Sequence, residues 1–134
     1  LINTYLFLLE GEEEVSKVSF DLTNSDFTGS ATFNALVKAW DQNYVQKIGR
    51  ACSFSFVVSL DESKTFNLYS NNTIGSLPVQ FAPISPIRST VMMRNGVYTT
   101  IVMRTDGNID IIPYGTITGS NHLSFGCCLA YFSA

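Results

Sequence analysis

Residues 97–114, VYTTIVMRTDGNIDIIPY, contain the pattern that decides the fold. Apolar and polar residues alternate on both sides of Asp106-Gly107, and this alternation is typical of half-buried strands. An Asp-Gly pair between two such runs is a strong signal of a hairpin turn. The stretch therefore predicts two antiparallel strands joined by a tight loop.

The length of that loop decides which side chains share a face of the sheet. A loop of 106–107 alone would place Met103 opposite Asp110, so that an apolar side chain and a carboxylate would face the same way. A loop of 105–107, with its glycine in the left-handed conformation of a bulged turn, avoids this conflict. We predict the longer loop, which pairs Met103 with Ile109 and Ile101 with Ile111.

The same logic applies to the preceding residues, MMRNGVY at 92–98. A loop of 94–96 pairs Met93 with Val97 and Val91 with Thr99. Together the two hairpins predict a three-stranded antiparallel meander with one continuous apolar face. That face comprises Val91, Met93, Val97, Ile101, Met103, Ile109 and Ile111.

Most of the remaining chain also favours strands. Alternating or two-sided apolar runs predict them at 1–9, 17–22, 44–60, 64–70 and 121–132, with a break at 48–50. Pro78, Pro83 and Pro86 rule out a central strand over 75–88 and predict a long extended loop. Such short strands with turns between them predict an all-β fold, an antiparallel β-sandwich or jelly roll, as a single domain over 1–134.

One stretch favours a helix. In SATFNALVKAW, residues 30–40, four apolar residues recur at helical spacing, and Ser30 is a suitable N-cap. We predict a short helix here with Trp40 in the core; an irregular crossing strand is the alternative.

The last predicted strand has two different faces. One is large and apolar: Leu123, Phe125, Cys127, Leu129 and Tyr131. The other is mostly small, and its residues Ser124, Gly126, Cys128 and Ala130 would let another subunit approach closely. Composition agrees, because only 14% of the residues are charged while 46% are hydrophobic. We therefore predict an oligomer with this small face at the subunit interface.

Several functional classes are disfavoured. The net charge of −3 provides no basic patch for nucleic acid. The most apolar run, 1–9, is too short to span a membrane and lacks the flanks of a signal peptide, and the chain opens on Leu, which suggests a fragment or a processed product. Glu12, Glu13 and Glu14 follow it and are expected in a solvated acidic turn.

No catalytic or metal motif is evident in the sequence. His122 is the single histidine and no Gly-x-Ser-x-Gly elbow accompanies it, so we predict a non-catalytic chain without cofactors. The spacing from Asp106 to Asp110 lacks the downstream glutamate of a calcium loop, and a hairpin explains it. Three cysteines predict buried thiols, with a disulfide from Cys52 to Cys127 or Cys128 as the alternative.

Three segments together resemble the C-terminal domains of bacteriophage tail fibres and baseplate receptor-binding proteins. They are VQKIGRAC at 45–52, GSLPVQFAP at 75–83, and the 106–107 hairpin followed by a closing strand that ends in Tyr131-Phe132. The resemblance covers 44–134, and residues 1–43 carry none. The second segment departs from the family, with Gln80 where glycine is common and Ala82 where arginine is common.

The resemblance implies a homotrimeric head at the tip of a phage tail that attaches to a host cell-surface saccharide or protein, without catalysis. No membrane insertion is expected, because no apolar run is long enough to span a membrane. A bacterial adhesin or carbohydrate-binding module is the first alternative, and a small glycan-degrading enzyme the second. Saccharide sites combine an aromatic face with amide and hydroxyl groups on loops held by a rigid sheet. On that basis we predict binding residues at one end of the meander: Tyr114, Asn121, His122, Arg94 and Asn95.

Overall fold

The computed structural model describes residues 26–117 and 123–134, which form an all-β fold of two antiparallel sheets. The strands are β1 Asp26–Gly29, β2 Thr32–Phe33, β3 Val37–Ile48, β4 Ala51–Leu60, β5 Asn72–Ser76, β6 Ile87–Met92, β7 Tyr98–Met103, β8 Asn108–Pro113 and β9 Ser124–Phe132. A 3-10 turn, Val79–Phe81, lies between β5 and β6. In this part of the chain no helix is long and apolar enough to cross a membrane.

The two sheets enclose one hydrophobic core, as predicted for a β-sandwich. One sheet has the order β9-β4-β3-β1 and the other the order β2-β5-β8-β7-β6. Both contribute fully buried side chains to the same cluster, including Phe54 and Phe56 from β4 and Ile101 and Ile111 from the meander. The rings of Phe54 and Phe56 stack with centroids 4.8 Å apart.

The predicted register of the central hairpin is confirmed. Ile101 pairs with Ile111 and Met103 with Ile109. The loop is 105–107, closed by the Arg104 amide, which donates to the Asn108 carbonyl at 2.9 Å. Gly107 has φ +92°, a left-handed conformation that favours glycine.

The upstream hairpin is confirmed as well. Val91 pairs with Thr99, and the Met93 amide donates to the Val97 carbonyl at 2.9 Å. On the predicted apolar face, Val91 and Val97 are partly buried and the other members are fully buried: Met93, Ile101, Met103, Ile109 and Ile111.

Beside β4, the closing strand β9 turns its large face inward. Tyr131 fixes the strand to the proline-containing loop, because its hydroxyl donates to the Phe81 carbonyl at 2.7 Å. Burial of this phenol raises the pKa of Tyr131 well above its ordinary value. The loop itself is largely extended, and Pro83 pairs only as an isolated bridge to Ser133.

The predicted helix over 30–40 is wrong, and the alternative of an irregular strand is correct. The Asn34 side chain accepts a hydrogen bond from the Leu36 amide at 2.9 Å, which forms a turn between β2 and β3. Early in β3 the register with β4 shifts twice, between Val37 and Ala39 and between Trp40 and Gln42. Bulges interrupt the strict alternation of a strand, and this interruption imitated helical spacing.

Three further expectations need correction. Residues 64–70 form turns rather than a strand, and the strand begins at Asn72, in the interior of its sheet. Trp40 is not in the core: it is 53% exposed and packs on Phe33 with ring centroids 5.6 Å apart.

The third correction concerns the cysteines. They are free, but only Cys52 is buried; the other two are half-buried Cys127 and exposed Cys128. The predicted strands at 1–9 and 17–22 and the acidic turn lie outside the described residues.

The 105–107 loop packs closely on Leu77, and a matched pair of glycines tests this contact. A Cβ on Gly107 would lie 2.7 Å from the Leu77 carbonyl oxygen, whereas one on Gly96, at φ +88°, meets nothing within 4 Å. Gly96→Ala should lower the free energy of unfolding by about 1–2 kcal/mol through backbone strain alone. Gly107→Ala should cost roughly 1–3 kcal/mol more through overpacking. Urea unfolding at one protein concentration measures both, and equal losses would contradict the contact.

Candidate functional site

Exposed tyrosines gather at one end of the five-stranded sheet, on its outer face. Tyr98 begins β7 and Tyr114 follows β8, and the Tyr114 amide donates to the Tyr98 carbonyl at 3.0 Å. Cross-strand neighbours of this kind project their side chains to the same face. Tyr69, from the turn before β5, joins them, and its ring centroid lies 6.0 Å from that of Tyr114. We call Tyr69, Tyr98 and Tyr114 the tyrosine patch.

The patch is open to solvent. Tyr69 is 70% exposed, Tyr98 54% and Tyr114 44%. Met92, paired with Tyr98 across β6 and β7, is exposed beside them. Contiguous exposed apolar surface with a polar border is characteristic of binding sites. The three rings therefore provide a surface on which the apolar face of a ligand can stack.

Hydroxyl groups link the patch to the sheet. The Thr100 hydroxyl donates to the Tyr114 hydroxyl at 2.9 Å and lies 2.9 Å from the Thr90 hydroxyl. Because Thr100 has a single hydroxyl hydrogen, Thr90 must donate to it. The hydrogen of the Tyr114 hydroxyl is then available to an acceptor outside the sheet.

The structure brings the described members of the predicted site to this end of the sandwich. Arg94 and Asn95 form the tip of the β6–β7 hairpin, next to the start of β9, where the Arg94 amide donates to the Ser124 carbonyl at 3.2 Å. The Asn95 side chain accepts from the Val97 amide at 3.1 Å and so stabilises the turn. Tyr114 lies in the patch. Asn121 and His122 lie outside the described residues.

Sequence reasoning missed Tyr98, Tyr69 and the threonine pair. Tyr98 had a signal, since it alternates with Thr100 on the face opposite the predicted apolar one. Tyr69 had none, because its place depends on a turn that was predicted to be a strand.

A second outer surface, on the four-stranded sheet, is poor in charge. The outward residues of β4 pair with those of β3 and β9: Ser53 with Gln46 and Ala130, Ser55 with Tyr44 and Cys128, and Ala51 with Ile48 and Phe132. We call these nine residues, with Gly126 and Val57, the uncharged face. Three of the predicted interface residues, Gly126, Cys128 and Ala130, are exposed on it, and Ser124 is half-buried at the start of the same strand.

An apolar groove extends this surface at one edge. It has a volume of about 420 Å³ and is lined by Ala51, Cys52, Ile84, Ser85, Ile87, Ala130, Tyr131 and Phe132. Ile84 and Phe132 are largely exposed. The two outer surfaces of the sandwich thus differ in chemistry, one aromatic with hydroxyls and one small and uncharged.

The hairpin carboxylates have partners within the protein. Asp106 accepts from the Asn108 amide at 2.9 Å. Asp110 is fully buried, accepts from the Thr73 hydroxyl at 2.7 Å, and lies 3.3 Å from Arg104 Nη1. Within residues 26–117 and 123–134, no group of three or more His, Cys, Asp or Glu side chains is arranged to hold a metal ion. Burial raises the pKa of Cys127.

No protein-family model matches the chain, and no curated protein matches it in sequence. Its fold is similar to that of the receptor binding protein gp15 of Listeria phage PSA, with a TM-score of 0.60 and 14% sequence identity. The alignment covers 100% of this chain and 80% of that protein. This likeness shows a shared fold.

Proposed function

We propose that this chain is a non-catalytic receptor-binding domain of a phage tail fibre or baseplate protein, which attaches the virion to a host cell-surface saccharide or protein. The tyrosine patch is the observation that carries the proposal, because it offers stacking rings and hydroxyl groups on a rigid sheet. The fold likeness to a phage receptor binding protein and the three sequence segments at 45–52, 75–83 and 106–107 support it.

The functional unit in this proposal is a homotrimer assembled through the uncharged face. Small side chains such as Gly126 and Ala130 permit close approach of a second sheet, and burying them leaves no charge unpaired. The patch lies on the opposite outer surface of the sandwich. Assembly through one surface therefore leaves the other free to meet a receptor.

Ala130→Arg tests the assembly. An unpaired charge in a buried interface costs roughly 3–5 kcal/mol, so the variant should be a monomer by light scattering. Ala35→Arg, the same change at an exposed turn position, should remain a trimer.

Reaction with a thiol reagent provides a second readout of the same variants. Cys128 is exposed in the single chain, so it should react slowly in the wild-type trimer and rapidly in Ala130→Arg. A trimer that persists in Ala130→Arg would contradict the placement of the interface.

Tyr114→Ala and Asn121→Ala test the receptor site. Both should weaken binding to the bacterial cells or glycans that the wild-type protein selects in a whole-cell and glycan screen. Thermal stability and trimer mass should stay the same. Tyr114→Phe keeps the ring and loses the hydroxyl, so its binding should fall less than that of Tyr114→Ala. Full binding by both alanine variants would contradict the assignment of Tyr114 and Asn121 to the receptor site and direct attention to the 71–86 loop.

Release of sugars from the selected glycans would favour the enzyme alternative. A monomeric mass for the wild-type protein would favour a carbohydrate-binding module.

A further inference from the structure

We propose that Asn72 holds the 67–70 turn in its binding conformation before a ligand arrives, and that the rings of Tyr69 and Tyr114 together form the surface on which a sugar ring of the receptor stacks. We call this turn the arm and the two rings the floor. The inference rests on the proposed function and names a contact residue, Tyr69, and a positioning residue, Asn72, for its site.

The backbone of Tyr69 is strained. Among the described residues it is the non-glycine residue with positive φ, at 56°. Glycine or asparagine would adopt this conformation with less steric conflict. The Tyr69 side chain gains little from packing in return, since it is 70% exposed. Backbone strain of this kind is concentrated at functional sites, where the surrounding structure maintains it.

The surrounding structure here is the buried side chain of Asn72. Its carbonyl oxygen accepts from the Asn67 amide at 2.9 Å, and its amide group donates to the carbonyls of Asn67 and Ser70, each at 2.9 Å. The same group reaches the Ile111 carbonyl at 3.3 Å, which ties the turn to β8. Asn72 therefore fixes the turn before any ligand arrives.

A backbone contact completes the arm. The Tyr69 amide donates to the Pro113 carbonyl at 3.0 Å, which places Tyr69 beside Tyr114. The two rings meet at 46° with centroids 6.0 Å apart, an open angle rather than a closed stack. Fixing both rings in advance reduces the entropy that a ligand must lose on binding.

The floor has the chemistry of a sugar site. Its ring faces match the C–H side of a pyranose, and the Tyr114 hydroxyl, which already accepts from Thr100, offers its hydrogen to a sugar oxygen. A chain of hydroxyls from Thr90 through Thr100 strengthens that donor. Stacking and one directed hydrogen bond together select a polar molecule with an apolar face.

Tyr69→Gly separates the contact role from a structural one. The substitution relieves the backbone strain, so the thermal stability should be unchanged or higher. Binding to the cells selected by the wild-type protein should nevertheless weaken about tenfold or more, because one stacking ring is gone. Wild-type binding by Tyr69→Gly would overturn the inference while leaving the proposed function in place. If the wild-type protein binds neither cells nor glycans, both this inference and the proposed function are contradicted.

The positioning role of Asn72 requires a double-mutant cycle. Asn72→Ala should weaken binding because the turn loosens, and adding it to Tyr69→Gly should weaken binding little further. Fully additive losses would show that Asn72 does not act through Tyr69.

Chemical treatment of the same cells identifies the class of receptor. Periodate, which cleaves sugar diols, should abolish binding by the wild-type protein, and protease treatment should leave it intact. Binding that survives periodate and is lost after protease treatment would indicate a protein receptor and would contradict the proposal that the floor binds a sugar.

Discussion

The register between β7 and β8 is the constraint on which the rest of this structure depends. A three-residue loop directs Met103 and Ile109 into the core, and a slip of one residue would exchange them for the neighbours on the other face. Asp110 would then enter the core, whereas its observed position lets it meet Thr73 and Arg104. The carboxylate therefore disfavours the wrong register, and the apolar residues favour the right one.

The same register creates the tyrosine patch. Once Ile101 faces inward, Thr100 must face outward, opposite Ile112. Tyr98 and Tyr114 form the next pair on that outer face. The core and the outer surface are therefore two consequences of one pairing. The four-stranded sheet repeats this separation, since β4 directs phenylalanines inward and serines outward. The outward residues of the two sheets can thus differ in chemistry while their inward residues share one core.

Among the described residues, sequence reasoning succeeded where structure is local and periodic, and failed at 30–40 and at 64–70. Both hairpins were predictable because alternation and turn residues agree there. The prediction of a helix over 30–40 was wrong because two register shifts in β3 break the alternation, and bulges leave no simple pattern in the sequence. The place of Tyr69 depends on Asn72, whose hydrogen-bond partners reach as far as Ile111 along the chain. The position of Tyr114 could be predicted from the hairpin, whereas the position of Tyr69, its partner in the patch, depends on the tertiary fold.

The fold likeness to a phage protein at 14% identity has a physical explanation in this arrangement. Volume, apolar character and register constrain the inward positions, and many different side chains satisfy those requirements. The outward positions, and turns such as 67–70, need only be compatible with the strand or loop that carries them. A scaffold of this kind can exchange its surface chemistry without repacking its core, so fold and surface chemistry can change independently. The proposed recognition therefore rests on the positions of Tyr69, Tyr98 and Tyr114 themselves, and the fold explains only why those three side chains meet.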